Sequence, residues 1–301
     1  MATISDRLPH VPADIPGHRR SFALLSSAKA SEVTRAVIFV HGFMGMARST
    51  WSNFLALIDD DTTASRWWET SDLYFYQYFW DSIFRQVAVN AVDLQPFVEA
   101  IFPQPNREIF TAHGISLRET FEYQELFLVG HSEGGLLIRK LILNAATNDT
   151  QVQEFVFDQA VRSTCREPEA LGILKAQLRL FAPAIGGAAI SGVLGVVCNL
   201  SIVSVTLPFA AAKIAMRPES TSVTNARTDT LFYAGKLKMP CFRAHILWAK
   251  KDHVILSERY TGDVQCSNLR YPTNHVNVCK PNQHYLVPIQ FVEQGVVNGK
   301  C

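Results

Sequence analysis

Paired thiols are missing from this sequence: its six cysteines, at positions 165, 198, 241, 266, 279 and 301, form no C-x-x-C motif and lie far apart. A chain of 301 residues is long enough to build a sizeable core without the staples of a small secreted domain, so reduced thiols are expected. Excess charge is missing too. With 28 basic and 27 acidic residues the net charge is +1, which gives no footing for a nucleic-acid backbone, and no nucleic-acid partner is expected. The first twenty residues, MATISDRLPHVPADIPGHRR, lack the apolar stretch of a signal peptide and carry Asp6 and three prolines instead. A cytoplasmic location is therefore the expectation.

One region lacks charge altogether. Residues 180–212 contain no Asp, Glu, Lys or Arg and would cross a bilayer on length alone. Pro183, Gly186, Gly187, Gly192, Gly195, Asn199 and Pro208 interrupt the run, which argues against a continuous spanning helix. Its first part, 178–184, reads as a buried strand. The remainder fits an inserted lid or cap at approximately 185–229 that covers substrate or touches a membrane transiently, or else ordinary core. The Ser- and Thr-rich stretch 218–229 marks the return from that insertion.

What the chain has is apolar content, 48% of its residues, arranged as strands alternating with helices. Strands are expected at 21–25, 36–40, 73–78, 126–129, 178–184 and 242–248; the run 36–40 is wholly apolar, as a central parallel strand is. Helical patterns fall at 54–58, 87–101, 136–143 and 151–176. This alternation predicts an α/β architecture: a mainly parallel sheet with helices on both faces and a ligand site beyond the carboxyl ends of the strands.

The most informative motif is Gly130-His131-Ser132-Glu133-Gly134, set between the apolar strand 126–129 and the apolar helix 136–143. A strand-turn-helix bend of that tightness needs glycines, because side chains beside the serine would meet the neighbouring strand and helix. It lifts one hydroxyl clear of the sheet at the positive end of a helix. A serine hydroxyl does not ionise at neutral pH, so it requires an imidazole to take its proton and a carboxylate to orient that imidazole.

In such an architecture the acid and the base follow the serine in the chain. Asp252 comes just after the strand 242–248, separated from it by Ala249-Lys250-Lys251, and is the expected acid; Glu258 and Asp263 are rivals farther from a strand end. His275, in the loop formed with 271–274, is the expected base, with His284 as its rival. His245 reads as a satisfied strand histidine, and His131 as a packing or hydrogen-bonding group under the turn. Two backbone N–H groups should hold the negative oxygen that forms on attack: that of Glu133, and that of Phe43 in the loop His41-Gly42-Phe43-Met44-Gly45 leaving the strand 36–40. The Glu133 carboxylate is expected at the rim or in a salt bridge.

Taken together, VIFVHGFMG, LFLVGHSEGG, ILWAKKD and NHVNVCKP resemble the α/β-hydrolase superfamily, in order and over nearly the whole chain. The pair TW after the first loop, YFYQYFWDS, GHSEGGLLIRK and LFAPA resemble, more narrowly, the lipase-like serine esterases related to GPI-inositol deacylases. Two positions depart from that pattern: Ala249 stands where many relatives have glycine, and Ile185-Gly186-Gly187 where a His-containing turn is common. The resemblance implies a single α/β-hydrolase domain over 1–301 with an insertion near 185–229. It also implies a cofactor-free and metal-free hydrolysis of carboxylic esters or lipids through Ser132, His275 and Asp252. An acyltransferase or thioesterase using the same groups, or a binding protein for an apolar ligand on the same fold, stays open.

Overall fold

A computed structural model describes residues 10–26, 33–43, 45–58, 66–78, 87–186, 221–254 and 265–296. Its strands are β1 (His10–Asp14), β2 (Phe22–Ser26), β3 (Arg35–Val40), β4 (Ser71–Tyr76), β5 (Glu125–His131), β6 (Gln177–Phe181), β7 (Ala244–Lys251) and β8 (Gln265–Asn274). They form one sheet in the order β1-β2-β4-β3-β5-β6-β7-β8. The β1–β2 and β2–β4 pairs are antiparallel, and every pair from β4 to β8 is parallel. The expected mainly parallel sheet is present.

Between the strands run helices α1 (Ala47–Ile58), α2 (Val87–Glu99), α3 (Arg107–Thr111), α4 (Glu133–Asn148), α5 (Thr150–Phe157), α6 (Gln159–Thr164), α7 (Thr221–Lys236) and α8 (Val287–Gln294). β3 and β5 are central because their middle residues are apolar: Ala36 to Val40 and Leu126 to Val129 are all at most 2% exposed. Around them an aromatic cluster fills the core, with Phe39 stacked on Phe75 at 4.8 Å and edge-on to Trp51 at 5.0 Å. Such pairs add to the burial of large rings a geometric preference that fixes α1 against the sheet.

The chain goes from β3 to β4 on one side, then crosses to β5 on the other side of β3. That reversal opens a crevice at the carboxyl ends of β3 and β5, the place where open parallel sheets hold ligands.

Several elements differ from the sequence expectation. β8 was not expected, because QCSNLRYPTN is polar and contains Pro272; among the described residues it is the last strand of the sheet and pairs on one side, a position where proline is tolerated. The same holds for β1, HVPAD, at the opposite edge. The region 151–176 is α-helical only to Thr164, where α6 ends, and has one 3-10 turn at Gly172–Lys175. Of the insertion expected at 185–229, residues 187–220 lie outside the described residues. The stretch 221–229, read as a returning loop, is instead the first part of α7, whose Val223 and Ala226 are fully buried. No described helix is long and apolar enough to cross a membrane. Among the described cysteines, Cys165, Cys241 and Cys279 are free thiols.

Candidate active site

The turn from β5 into α4 has the tightness expected of it. Ser132 sits at φ 54°, ψ −120°, a left-handed backbone that a residue with a side chain adopts only when its surroundings enforce it. The surroundings do: a Cβ on Gly130 would lie 2.8 Å from the Gly135 backbone, and one on Gly134 would run into the carbonyls of Val40 and His41. Three backbone bonds fix the turn, from Ser132 N–H to the Phe181 carbonyl (3.0 Å) and from the Ala184 and Gly135 N–H groups to the Ser132 carbonyl (2.9 and 3.1 Å). A serine preceding a helix ordinarily caps it with its side chain, but Ser132 makes no such bond. Its hydroxyl points elsewhere.

It points at His275. Ser132 Oγ lies 3.0 Å from His275 Nε2, and His275 Nδ1 lies 2.9 Å from Asp252 Oδ2. A carboxylate only accepts, so Nδ1 carries the ring proton and Nε2 is left as the acceptor facing the serine hydroxyl. The Asp252 side chain is 1% exposed and its other oxygen accepts from the Val254 N–H at 2.9 Å.

Both partners emerge from strand ends, though not as the sequence suggested. Ala249, Lys250 and Lys251 belong to β7, so Asp252 is the first residue past it; 271–274 belong to β8, so His275 is the first residue of the turn that follows that strand. Adjacent parallel strands thus deliver acid and base side by side.

The rival groups lie elsewhere. His245 Nδ1 donates to Ser267 Oγ at 2.9 Å within the sheet, as a satisfied strand histidine does. His284 is exposed in a turn rather than on a helix, and His253 is exposed beside Asp252. Glu258 and Asp263 lie outside the described residues.

His131 has a role the sequence only hinted at. Its Nε2–H donates to the His275 carbonyl at 2.9 Å, tying the residue before the nucleophile to the loop that carries the base. Burial, reinforced by nearby His275, pushes the His131 imidazole down to about 3, so the ring stays neutral and keeps that single-donor role.

The loop leaving β3 closes the other side. A Cβ on Gly42 would lie 2.8 Å from Ser132 Cβ, so glycine is what lets His41, Gly42 and Phe43 press against the turn. Phe43, partly buried, packs on the core beside it. Glu133 opens α4, where backbone N–H groups point out of the helix end.

The Glu133 carboxyl is not at the rim, nor, among the described residues, in the salt bridge that was expected. The residue is 7% exposed, and its Oε2 lies 3.2 Å from the hydroxyl of Tyr78, which is itself 3.0 Å from the His41 carbonyl. Burial pushes this carboxyl up to about 7 against the opposing pull of the Tyr78 hydrogen bond. The His41 ring stacks on Tyr78 at 4.1 Å, and burial pushes it down to about 4. Tyr78 was legible only as the end of an aromatic run.

The arrangement places a hydroxyl, a proton acceptor and an orienting carboxylate in one hydrogen-bonded line at the sheet's crevice. Among the described residues, no group of three or more His, Cys, Asp or Glu side chains is placed to hold a metal ion.

No protein-family model matches this sequence, and no curated protein matches it in sequence. Solved structures do match in shape. A tributyrin phosphonate inhibited Esterase B from Lactobacillus rhamnosis superposes with a TM-score of 0.52 at 11% identity, over 97% of this chain and 86% of that one. Another crystal structure of Esterase B from Lactobacillus rhamnosis gives 0.52 at 11% identity, over 96% and 85%. Likeness at that identity speaks to fold, and the chain has the α/β-hydrolase fold.

Proposed function

We propose that this protein is a serine hydrolase of carboxylic esters that works through an acyl-enzyme on Ser132. The observation that carries the reading is the continuous line Ser132 Oγ, His275 Nε2, His275 Nδ1, Asp252 Oδ2, with both links at 3.0 Å or less. His275 takes the hydroxyl proton as Oγ attacks the ester carbonyl, then gives it to the departing alkoxide; water repeats the sequence and releases the acid. Asp252 holds the imidazole in the productive tautomer and offsets its transient positive charge. The N–H groups of Glu133 and Phe43 receive the developing oxyanion.

The shape match to an esterase supports ester hydrolysis as the reaction class. The narrower placement, among lipase-like serine esterases related to GPI-inositol deacylases, rests on YFYQYFWDS and GHSEGGLLIRK and makes acylated lipids the first substrates to try. No cofactor enters this chemistry.

The test is covalent labelling by a fluorophosphonate, followed by hydrolysis of chromogenic esters of graded acyl length. Labelling that disappears in Ser132→Ala and weakens in His275→Ala is the expected result. A folded wild type that is never labelled refutes the reading and favours a binding protein. Labelling accompanied by acyl transfer to added alcohols in preference to water identifies an acyltransferase, and faster turnover of CoA thioesters a thioesterase.

A further inference from the structure

Beside the proposed nucleophile is a hydrogen-bond chain whose protons do not balance unless one carboxyl is neutral. Tyr78 Oη lies 3.0 Å from the His41 carbonyl oxygen and 3.2 Å from Glu133 Oε2. A phenol has one proton to give and lone pairs to receive. A carbonyl and an ionised carboxylate are both pure acceptors, so an ionised Glu133 would leave two acceptors competing for one hydrogen among residues that are each less than a tenth exposed. A protonated Glu133 completes the chain: its O–H donates to Tyr78 Oη, and the Tyr78 O–H donates to the His41 carbonyl.

We infer that Glu133 is held as a neutral acid and that, with Tyr78, it forms a clasp that fixes the His41-Gly42-Phe43 loop against Ser132. Both are positioning residues, acting on the reaction through the loop and not by touching substrate. The inference deepens the esterase reading, on which its catalytic consequence rests; the clasp itself stands on geometry alone. It also accounts for a glutamate at a buried position that the sequence places in the tightest turn of the chain.

The surroundings agree. Tyr78 is pushed well above the ordinary phenol range by burial first and by Glu133 second, so it keeps its proton. On the strand side Tyr76 faces Tyr78 with its ring 6.3 Å away, and on the loop side the neutral His41 ring lies flat on Tyr78. Among the described residues, the neutral His131 ring, Ser132 and the imidazole of His275 are the other titratable groups at the turn. The clasp therefore opens in one direction only. When Glu133 loses its proton, the phenol hydrogen turns to the carboxylate, the His41 carbonyl loses its donor, and a negative charge appears beside the place proposed for the oxyanion.

Two measurements test this. The first is the pH dependence of acylation, read as the rate of fluorophosphonate labelling and as kcat and KM for a chromogenic ester. Wild type falls on the alkaline side by about tenfold. In Glu133→Gln, whose amide N–H donates to Tyr78 at every pH, that fall disappears. In Tyr78→Phe, kcat drops about tenfold with KM within about twofold, and the alkaline fall is blunted. An alkaline fall that stays at the same pH in Glu133→Gln overturns the proposal.

The second measurement does not depend on activity. Infrared difference spectra at pH 6 should show a protonated carboxylic acid in wild type that is absent from Glu133→Gln, with the carboxyls of Asp72 and Asp252, which are unchanged by the substitution, cancelling in the difference. Absence of that difference overturns the clasp whether or not the protein hydrolyses esters. Its presence in a wild type that is never labelled supports the clasp and refutes the esterase reading alone.

Discussion

The two ends of the sheet each bury a carboxyl against tyrosine, and they differ in how many hydrogen-bond donors each carboxyl meets. At the amino end, Asp72 in β4 accepts from the Ser26 N–H at 2.7 Å and from the Tyr123 hydroxyl at 2.5 Å, while the Tyr74 hydroxyl donates to Tyr123 at 2.7 Å. Each Asp72 oxygen has its own donor. At the carboxyl end, Glu133 shares the single Tyr78 hydrogen with a backbone carbonyl. Burial pushes both carboxyls up to about 7, yet their surroundings differ. The amino-end network ties β2 to β4 and reaches nothing reactive, whereas the carboxyl-end network grips the loop beside Ser132. Similar chemistry thus serves cohesion at one end and placement of a reacting group at the other.

That contrast predicts that carboxyl-end changes move rates and amino-end changes move stability. The largest effect is expected for Ser132→Ala, which should lower ester hydrolysis by about 10⁴-fold or more while its thermal midpoint stays within about 2 °C of wild type. Steady-state kinetics beside calorimetry decide it, and a large loss of stability would break the comparison. Next comes Asp252→Asn, which leaves the shape intact but presents the wrong hydrogen-bonding partner to His275; a loss of kcat of about 10³- to 10⁴-fold is expected.

At the other end the readout reverses. Tyr123→Phe removes the donor to Asp72 Oδ2 and leaves a buried carboxyl oxygen without that partner, so urea unfolding should show a loss of about 1–3 kcal/mol with hydrolysis within about twofold. The smallest change is a slope. Asp72 titrates near 3.8 when unfolded and is pushed up to about 7 when folded, so between those values the folded chain holds the extra proton and stability falls as pH rises. Asp72→Asn cannot titrate and should show a flatter profile from about pH 4 to about pH 7. His41 and His131, pushed down to about 4 and about 3, act with the opposite sign below the ordinary imidazole range, where the unfolded chain binds protons first. Subtracting the variant from wild type separates the two. An unchanged slope would show that Asp72 is ionised throughout.

The carboxyl end was the more legible of the two in the sequence, for physical reasons. The bend at Ser132 tolerates so few residue types at 130, 134 and 135 that the glycine spacing, once set between an apolar strand and an apolar helix, announces it. Asp252 and His275 were legible because apolar strands point to where loop residues emerge. The strand leading to His275 was not, since an edge strand needs an apolar pattern on only part of its surface and admits Pro272. The helix from Thr221 was hidden by its own Ser and Thr content, which is common in turns; Thr230 satisfies its hydroxyl by donating to the Ala226 carbonyl at 2.6 Å inside the helix. The Glu133 clasp was invisible because it depends on which residue covers the turn, and Tyr78 arrives from β4, 55 positions away. Local pattern reports what a backbone requires, while pairings of this kind are set by topology.

The central claim, that Ser132 is acylated with His275 as its base, is tested most directly by pre-steady-state hydrolysis of a chromogenic acetate ester, with intact-mass analysis of the quenched enzyme. The account predicts a burst of about one chromophore per chain and an acetyl mass increment that maps to Ser132 and vanishes in Ser132→Ala. Hydrolysis that proceeds without a burst or adduct, at a rate Ser132→Ala does not change, would contradict it.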